Sequence, residues 1–244
     1  MSEHRAPHGS AALAARILGL VDLTRLERPD EPGPIDALAE KALTPAGRVA
    51  AVCVYPEWVP RVRDTGVPVA AVANFPAGKD DPAPAAREAA EAVAAGAAEI
   101  DVVVPWRAFL AGDETAIWRT VAAVREEVGA AVRVKAILET GSLQDAEAIR
   151  AAGSQALAAG ADFLKTSTGK VGAGASLDAV QALLEVVLAV GHGGVKASGG
   201  IRTVADAAQY LALADSMMGP GWVAPERFRF GASGLVDDVL ARLT

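Results

Sequence analysis

Three residues of this sequence are able to do carbonyl chemistry together: Lys165, Lys196 and Asp101. Each lies in a short apolar run, within Asp162–Thr168, Gly194–Ser198 and Glu99–Pro105 respectively. Lysine is otherwise scarce, since among 23 basic residues it occupies only positions 41, 79, 135, 165, 170 and 196. A chain that uses arginine for surface charge has thus placed lysines in three apolar strands. One strand lysine alone reads as an ion-pair partner, its stem along apolar surface and its amine at a barrel mouth. Lys165 and Lys196 together, each beside a Gly/Ser/Thr loop, favour chemistry. Free lysine, with a pKa of about 10.4, is roughly 0.04% neutral at pH 7. Desolvation or a nearby like charge disfavours its ammonium form. Lowering the pKa to about 7.5 raises the neutral fraction several-hundred-fold, worth about 4 kcal/mol. A neutral amine attacks an aldehyde or ketone to form an imine, whose iminium accepts the electrons of an adjacent breaking carbon–carbon bond. That chemistry calls for no metal and no organic cofactor.

Signals for an anion lie next to the same runs. Gly199-Gly200-Ile201-Arg202-Thr203 follows one lysine strand and opens a helix, so backbone N–H groups and a dipole can face a phosphate. Gly231-Ala232-Ser233-Gly234 follows the last strand and opens another helical run. Gly169 and Lys170 add donors from the loop after Lys165.

These residues must be positioned by an alternation of strands and helices. Eight β-branched runs occur at Leu18–Thr24, Val49–Tyr55, Val67–Phe75, Glu99–Pro105, Val132–Thr140, Asp162–Thr168, Gly194–Ser198 and Phe228–Ser233. Between them, Pro84–Ala94, Glu114–Glu127, Gln144–Ala159, Leu177–Val190 and Val204–Ala214 carry helical spacing, with Ser176 and Thr203 as start signals. Pro29–Pro34 and Gly78–Pro84 read as loops. Alternation of this kind implies right-handed crossovers and a parallel sheet. Eight repeats in a chain of 244 residues predict one α/β domain over residues 11–244, a single (β/α)8 TIM barrel. A doubly wound sheet is the competing architecture, but Asp22-Leu23-Thr24-Arg25-Leu26 is not the Gly-rich nucleotide loop it would carry. In a barrel, functional groups collect at the C-terminal ends of the strands. Period-two alternation puts Lys165 on one face with Phe163 and Ser167, and Asp101 with Val103. Two lysines and a carboxylate are then expected to converge in a mostly apolar interior.

Composition narrows the partners. The chain is 52% hydrophobic and 22% charged with net charge −7, which excludes a disordered chain. It also argues against nucleic acid or an anionic membrane as partner. A phosphate must then be held by a local pocket. The single cysteine, Cys53, forms no internal disulfide, and His192 is the one histidine outside the N-terminal tail that holds His4 and His8. A structural zinc site or histidine-clustered metal centre is not expected, and His192, in a Gly-rich loop, reads as solvated. The apolar run Ala11–Val21 is broken by Arg16 and is too short to span a membrane. Residues 1–10 read as a disordered tail, and the protein as cytoplasmic.

At this point the chain resembles the 2-deoxyribose-5-phosphate aldolases, class I aldolases of barrel fold, from about Asp22 to Ser233. The specific pieces are Ala161–Lys170 (ADFLKTSTGK) and Val195–Thr203 (VKASGGIRT). Val21–Thr24, Val52–Pro56, Asn74–Pro76, Glu99–Val103 and Arg229–Ser233 support them. The resemblance implies that Lys165 is the Schiff-base lysine, that Lys196 perturbs it and relays protons, and that Asp101 works through a bound water. It implies phosphate contacts at Gly169, Lys170, Gly199, Gly200, Arg202, Gly231 and Ser233. It places Asp22, Thr24 and Cys53 along the site near the small aldehyde, whereas Cys53 on its own reads as a core residue. The implied reaction is reversible cleavage of 2-deoxy-D-ribose 5-phosphate to D-glyceraldehyde 3-phosphate and acetaldehyde. Separately, barrels of this size often associate, and a homo-oligomer with a dimer favoured is expected.

Two departures stand out. Gly234 occupies the position where some members carry a second serine, which bears on phosphate affinity. Some members also extend a tyrosine-ending tail into the site, whereas this sequence ends at Thr244. A step that relies on such a tail is expected to be slower or served by water. A lysine-dependent aldolase for another sugar phosphate and a non-catalytic phosphosugar-binding barrel are the alternatives.

Overall fold

The computed structural model describes residues 8–28, 31–143 and 145–243. His4, the expected tail over residues 1–7, Pro29 and the expected helix start at Gln144 lie outside them. Eight strands close into a barrel: β1 (Val21–Thr24), β2 (Ala51–Val54), β3 (Val69–Ala73), β4 (Glu99–Val103), β5 (Arg133–Ile137), β6 (Phe163–Lys165), β7 (Gly194–Ser198) and β8 (Phe228–Ala232). Neighbours run in sequence order, every pair is parallel, and β1 closes onto β8. All eight fall within the runs read from the sequence. The strands are almost wholly buried, as strands covered on both faces must be.

The outer layer consists of α1 (His8–Leu18), α2 (Pro32–Lys41), α3 (Pro82–Ala95), α4 (Ala116–Val128), α5 (Ala146–Ala158), α6 (Leu177–Val190), α7 (Val204–Met218) and α8 (Leu235–Ala241). Three differences from the sequence reading have local causes. From His8 the backbone is already helical; Ala14, Ile17 and Leu18 are buried, and Arg16 makes paired 2.8 Å bonds to Asp215 on α7. The stretches read as loops at Pro32–Pro34 and Pro82–Pro84 are instead the first turns of α2 and α3. Proline suits a first turn, where its missing N–H has no partner to lose.

Helix starts matter where they adjoin the strand ends. Ser176 Oγ accepts from the Ala179 N–H at 3.1 Å. Thr203 and Asp206 form a reciprocal capping box, and Asp206 also accepts from the Arg202 N–H at 3.1 Å. The box therefore anchors the Gly199–Arg202 loop as well as α7. Thr203→Ala is expected to lower stability by about 1 kcal/mol, seen as a lower urea midpoint with unchanged slope; an unchanged midpoint would remove this role.

Candidate active site

The barrel interior is not mostly apolar, which corrects the expectation above. Lys196 reaches Asp101 and Asp22 reaches Lys135 between strands that are not neighbours, so these side chains cross the barrel axis. Asp22, Glu99, Asp101, Lys135, Lys165, Lys196 and Arg229 are all at most 3% exposed. They form one connected network. Asp101 Oδ2 accepts from Lys165 Nζ at 2.7 Å and from Lys196 Nζ at 2.7 Å, while its Oδ1 accepts from Lys135 Nζ at 2.8 Å. Lys196 Nζ also lies 2.5 Å from Asp22, and Lys135 Nζ lies 2.5 Å from Glu99. Arg229 binds Asp22 at 2.6 Å and Glu99 at 3.4 Å. At the foot of the barrel the partly exposed Arg133 binds Glu99 at 2.5 Å. A buried charge survives only when paired and hydrogen-bonded, and here each charge holds the next.

Register explains how the network assembles. Lys165 pairs in the sheet with Lys196, Lys196 with Arg229, and Asp101 with Lys135. Charged residues at paired inward positions of neighbouring strands must meet. Sequence reading had Lys165, Lys196 and Asp101 but gave no part to Lys135, Glu99 or Arg229. Their signal was available: each is a charge at an inward position of an otherwise apolar strand.

The network differentiates its members. Burial disfavours the Lys165 ammonium and, with the like charge of Lys196, outweighs the attraction of Asp101, so the Lys165 pKa is lowered. Burial also opposes the charge on Lys196, but Asp101 and Asp22 outweigh it and its pKa is raised. For Asp101, burial is overcome by Lys135, Lys165 and Lys196, which hold it well below the usual carboxylate range. The three groups are thus shifted apart: the Lys165 pKa is lowered, that of Lys196 raised and that of Asp101 lowered.

Lys165 is the member that opens to solvent. A cleft of about 210 Å³ at the C-terminal mouth is lined by Lys165, Thr24 and three glycine-bearing loops. Gly169 and Lys170 come from the loop after β6, Gly199, Gly200 and Arg202 from that after β7, and Gly231, Ser233 and Gly234 from β8 and its loop. All seven phosphate positions expected from the resemblance therefore share one wall with the lysine. Asp22, Cys53, Asp101 and Lys196 lie beneath the floor, fully buried. Cys53 Sγ is 3.9 Å from Asp101 Oδ2, and burial pushes its thiol up. Ser167, Thr168, Ser198 and Ile201 also line the cleft and had been missed. Thr168 is held by the buried Glu139, whose carboxylate accepts from the Thr168 hydroxyl at 2.7 Å; Thr168 Oγ1 in turn accepts from the Lys170 N–H at 3.0 Å. His192 is exposed at the opposite, N-terminal end of β7.

Two glycines lining the cleft are required sterically. Gly199 has φ +93°, and a Cβ there would stand 2.8 Å from Gly174 Cα. A Cβ on Gly231 would stand 2.2 Å from Ser198 Oγ and 3.0 Å from Lys196 Cε. Serine can rotate away, but the lysine stem is pinned by two ion pairs. Gly231→Ala is therefore expected to push Lys196 off Asp101 and to lower kcat/KM about tenfold or more. Wild-type kinetics in a folded Gly231→Ala protein would refute this.

Fold and site together define a class: a (β/α)8 barrel with a buried amine under a glycine-rich, cation-bearing mouth. The chain belongs to the DeoC/LacD family of aldolases, whose model matches residues 16–234. It is 45% identical over 98% of its length to a deoxyribose-phosphate aldolase of Agrobacterium fabrum (strain C58), covering 93% of that protein. Among solved structures, the apo form of a protein from Toxoplasma gondii ME49, provisionally described as a deoxyribose-phosphate aldolase, superposes with a TM-score of 0.89 at 26% identity, covering 96% of this chain and 97% of that one. The tetrameric deoxyribose phosphate aldolase of Aeropyrum pernix superposes with a TM-score of 0.74 at 27% identity, covering 95% and 91%. The protein is thus an aldolase. No helix among the described residues is long and apolar enough to cross a membrane.

Proposed function

We propose that this aldolase reversibly cleaves 2-deoxy-D-ribose 5-phosphate to D-glyceraldehyde 3-phosphate and acetaldehyde through an imine on Lys165. The observation that carries the reading is a single lysine amine, Lys165, at the floor of a cleft lined by three glycine-bearing loops with Lys170 and Arg202, its pKa lowered by burial and by the charge of Lys196. The glycine-rich loops and the cations Lys170 and Arg202 hold the phosphate, which sets the opposite end of the sugar against Lys165. Lys165 Nζ attacks the aldehyde carbon C1, and loss of water from the carbinolamine gives the iminium. A base takes the C3 hydroxyl proton as the C2–C3 bond breaks, and the bonding electrons move into the iminium to form an enamine. Glyceraldehyde 3-phosphate leaves; protonation of the enamine carbon and addition of water release acetaldehyde and free Lys165.

Asp101 is the ultimate base in this scheme. Because it lies under the floor, it acts through a bound water and through Lys196, whose ammonium shares its Oδ2. Thr24 lines the cleft, while Asp22 and Cys53 shape the floor from below. The test is to incubate the protein with deoxyribose 5-phosphate, reduce with borohydride, and map the modified residue by mass spectrometry. A reduced two-carbon adduct on Lys165 is expected. No adduct from this substrate or from acetaldehyde, in folded protein that still binds the phosphosugar, would leave the binding-barrel reading in its place. An adduct with different products would point to another sugar phosphate.

A further inference from the structure

The mechanism above uses Lys165, Lys196 and Asp101 but leaves the most deeply held cation of the barrel without a role. Lys135 is fully buried, and its amine is 2.8 Å from Asp101, 2.5 Å from Glu99 and 3.4 Å from Asp22. It therefore touches every carboxylate of the axial network. Those carboxylates are three, Asp22, Glu99 and Asp101, and the buried cations four, Lys135, Lys165, Lys196 and Arg229. With all of them ionised the network carries one surplus positive charge. Arg133 adds to the foot of the network, but its side chain is 30% exposed and solvent screens it.

A surplus charge in a buried site is relieved by losing a proton. The geometry decides which cation gives it up. Arg229 is a guanidinium, which does not deprotonate. Within ion-pair distance Lys135 has three carboxylate neighbours and Lys196 has two, whereas Lys165 has Asp101 alone, with Glu139 acting on it only from further away. Among the described residues of the network, Lys165 is also the one that lines the cleft, so its proton can pass to water there. We propose that Lys135 is the charge-balancing residue of the site: by satisfying Asp101 Oδ1, Glu99 and Asp22, it leaves Lys165 as the surplus cation and so selects Lys165 as the amine that becomes neutral. It is a positioning residue for charge and does not touch substrate. The use made of the neutral amine rests on the proposed imine mechanism; the selection itself does not.

The titratable groups that bear on Lys165 come from several strands of the barrel. Directly against it are Asp101 on β4, Lys196 on β7 and Cys53 on β2, with Glu139 acting from just beyond β5; Lys135 on β5, Glu99 on β4, Asp22 on β1 and Arg229 on β8 are linked to it through Asp101 and Lys196. Charge counting makes predictions of opposite sign for two of them. Lys135→Met removes a cation, so the network retains the Lys165 proton. Glu99→Gln removes a carboxylate, so the network releases that proton more readily.

The experiment is competitive acetylation of the intact protein with acetic anhydride as a function of pH, reading Lys165 by mass spectrometry, beside the pH profile of kcat/KM for deoxyribose 5-phosphate cleavage. In Lys135→Met, the midpoint of Lys165 acetylation and the acid limb of kcat/KM are expected to move up by about one pH unit or more, with activity recovering at high pH. In Glu99→Gln both are expected to move down, and in the Lys135→Met/Glu99→Gln double variant to return towards wild type. A purely structural Lys135 would lower the rate at all pH values without moving the midpoint, which overturns the proposal. So does a Glu99→Gln midpoint that stays put or moves up, and that variant decides the matter if Lys135→Met does not fold. Acetylation needs no substrate. Shifted midpoints in a protein that does not cleave deoxyribose 5-phosphate would therefore refute the substrate reading and leave the charge-balancing role standing.

Discussion

Lys165→Ala is expected to lower kcat/KM by about ten-thousand-fold or more while leaving the fold and the affinity for a phosphosugar nearly intact. No other amine of the network can take over, because Lys135 and Lys196 are fully buried under the floor and each is held by at least two carboxylates. The phosphate contacts come from the loops after β6, β7 and β8 and do not depend on the lysine. Stability should also survive, for a reason specific to this barrel. Removing Lys165 leaves three carboxylates against Lys135, Lys196 and Arg229, a balanced set, and Asp101 keeps two ammonium partners. The measurements are a coupled assay for glyceraldehyde 3-phosphate, calorimetric titration with deoxyribose 5-phosphate, and thermal unfolding. Residual activity above about one per cent of wild type would mean that Lys165 is not the nucleophile.

Lys196→Met is the second large effect, and its signature is a pH shift as much as a lost rate. Lys196 and Lys165 share one oxygen of Asp101, each at 2.7 Å. Burial is the first cause of the lowered Lys165 pKa, and the Lys196 charge assists it against Asp101. Without that charge, Lys165 becomes the sole cationic partner of Asp101 Oδ2 and holds its proton more tightly. The sign follows directly. The neutral amine is the active form, so activity is lost as pH falls through the Lys165 pKa, and raising that pKa moves the acid limb to higher pH. Near neutrality kcat/KM is expected to fall by about a hundred-fold or more, with partial recovery in alkaline buffer. Part of the loss will not recover, because the variant also lacks the ammonium that relays protons between Asp101 and the cleft. An unshifted acid limb would assign the low Lys165 pKa to burial alone.

These effects bear on why a barrel should carry charge along its axis. An apolar filling would be at least as stable, since a buried ion pair costs desolvation that its attraction only partly returns. Here the paired charges hold Lys165 and Lys196 within hydrogen-bonding distance of Asp101. Such preorganisation needs no rearrangement when the reaction begins.

The strand–helix alternation was legible because β-branched runs and helical spacing are local properties. All eight strands fall in runs visible in the sequence, and Leu177–Val190 is the same helix in both readings. Lys165, the proposed nucleophile, stood out too, because a lysine inside an apolar strand beside a Gly/Ser/Thr loop contradicts its surroundings. Pro32 and Pro82 misled as loop markers, since proline signals a turn and a first helical turn equally well.

What the tertiary structure alone decided was the partnership of charges far apart in the chain. Asp22 meets Arg229 across 207 residues, and Lys196 meets Asp101 across 95. Nothing local specifies such pairs, because they exist only once the barrel closes and the register brings inward positions level. The sequence by itself therefore determined the architecture and singled out Lys165 as the proposed nucleophile. Only the closed barrel determined the direction in which its pKa is shifted, because that depends on burial and on the charges within a few ångströms, which are contributed by different strands.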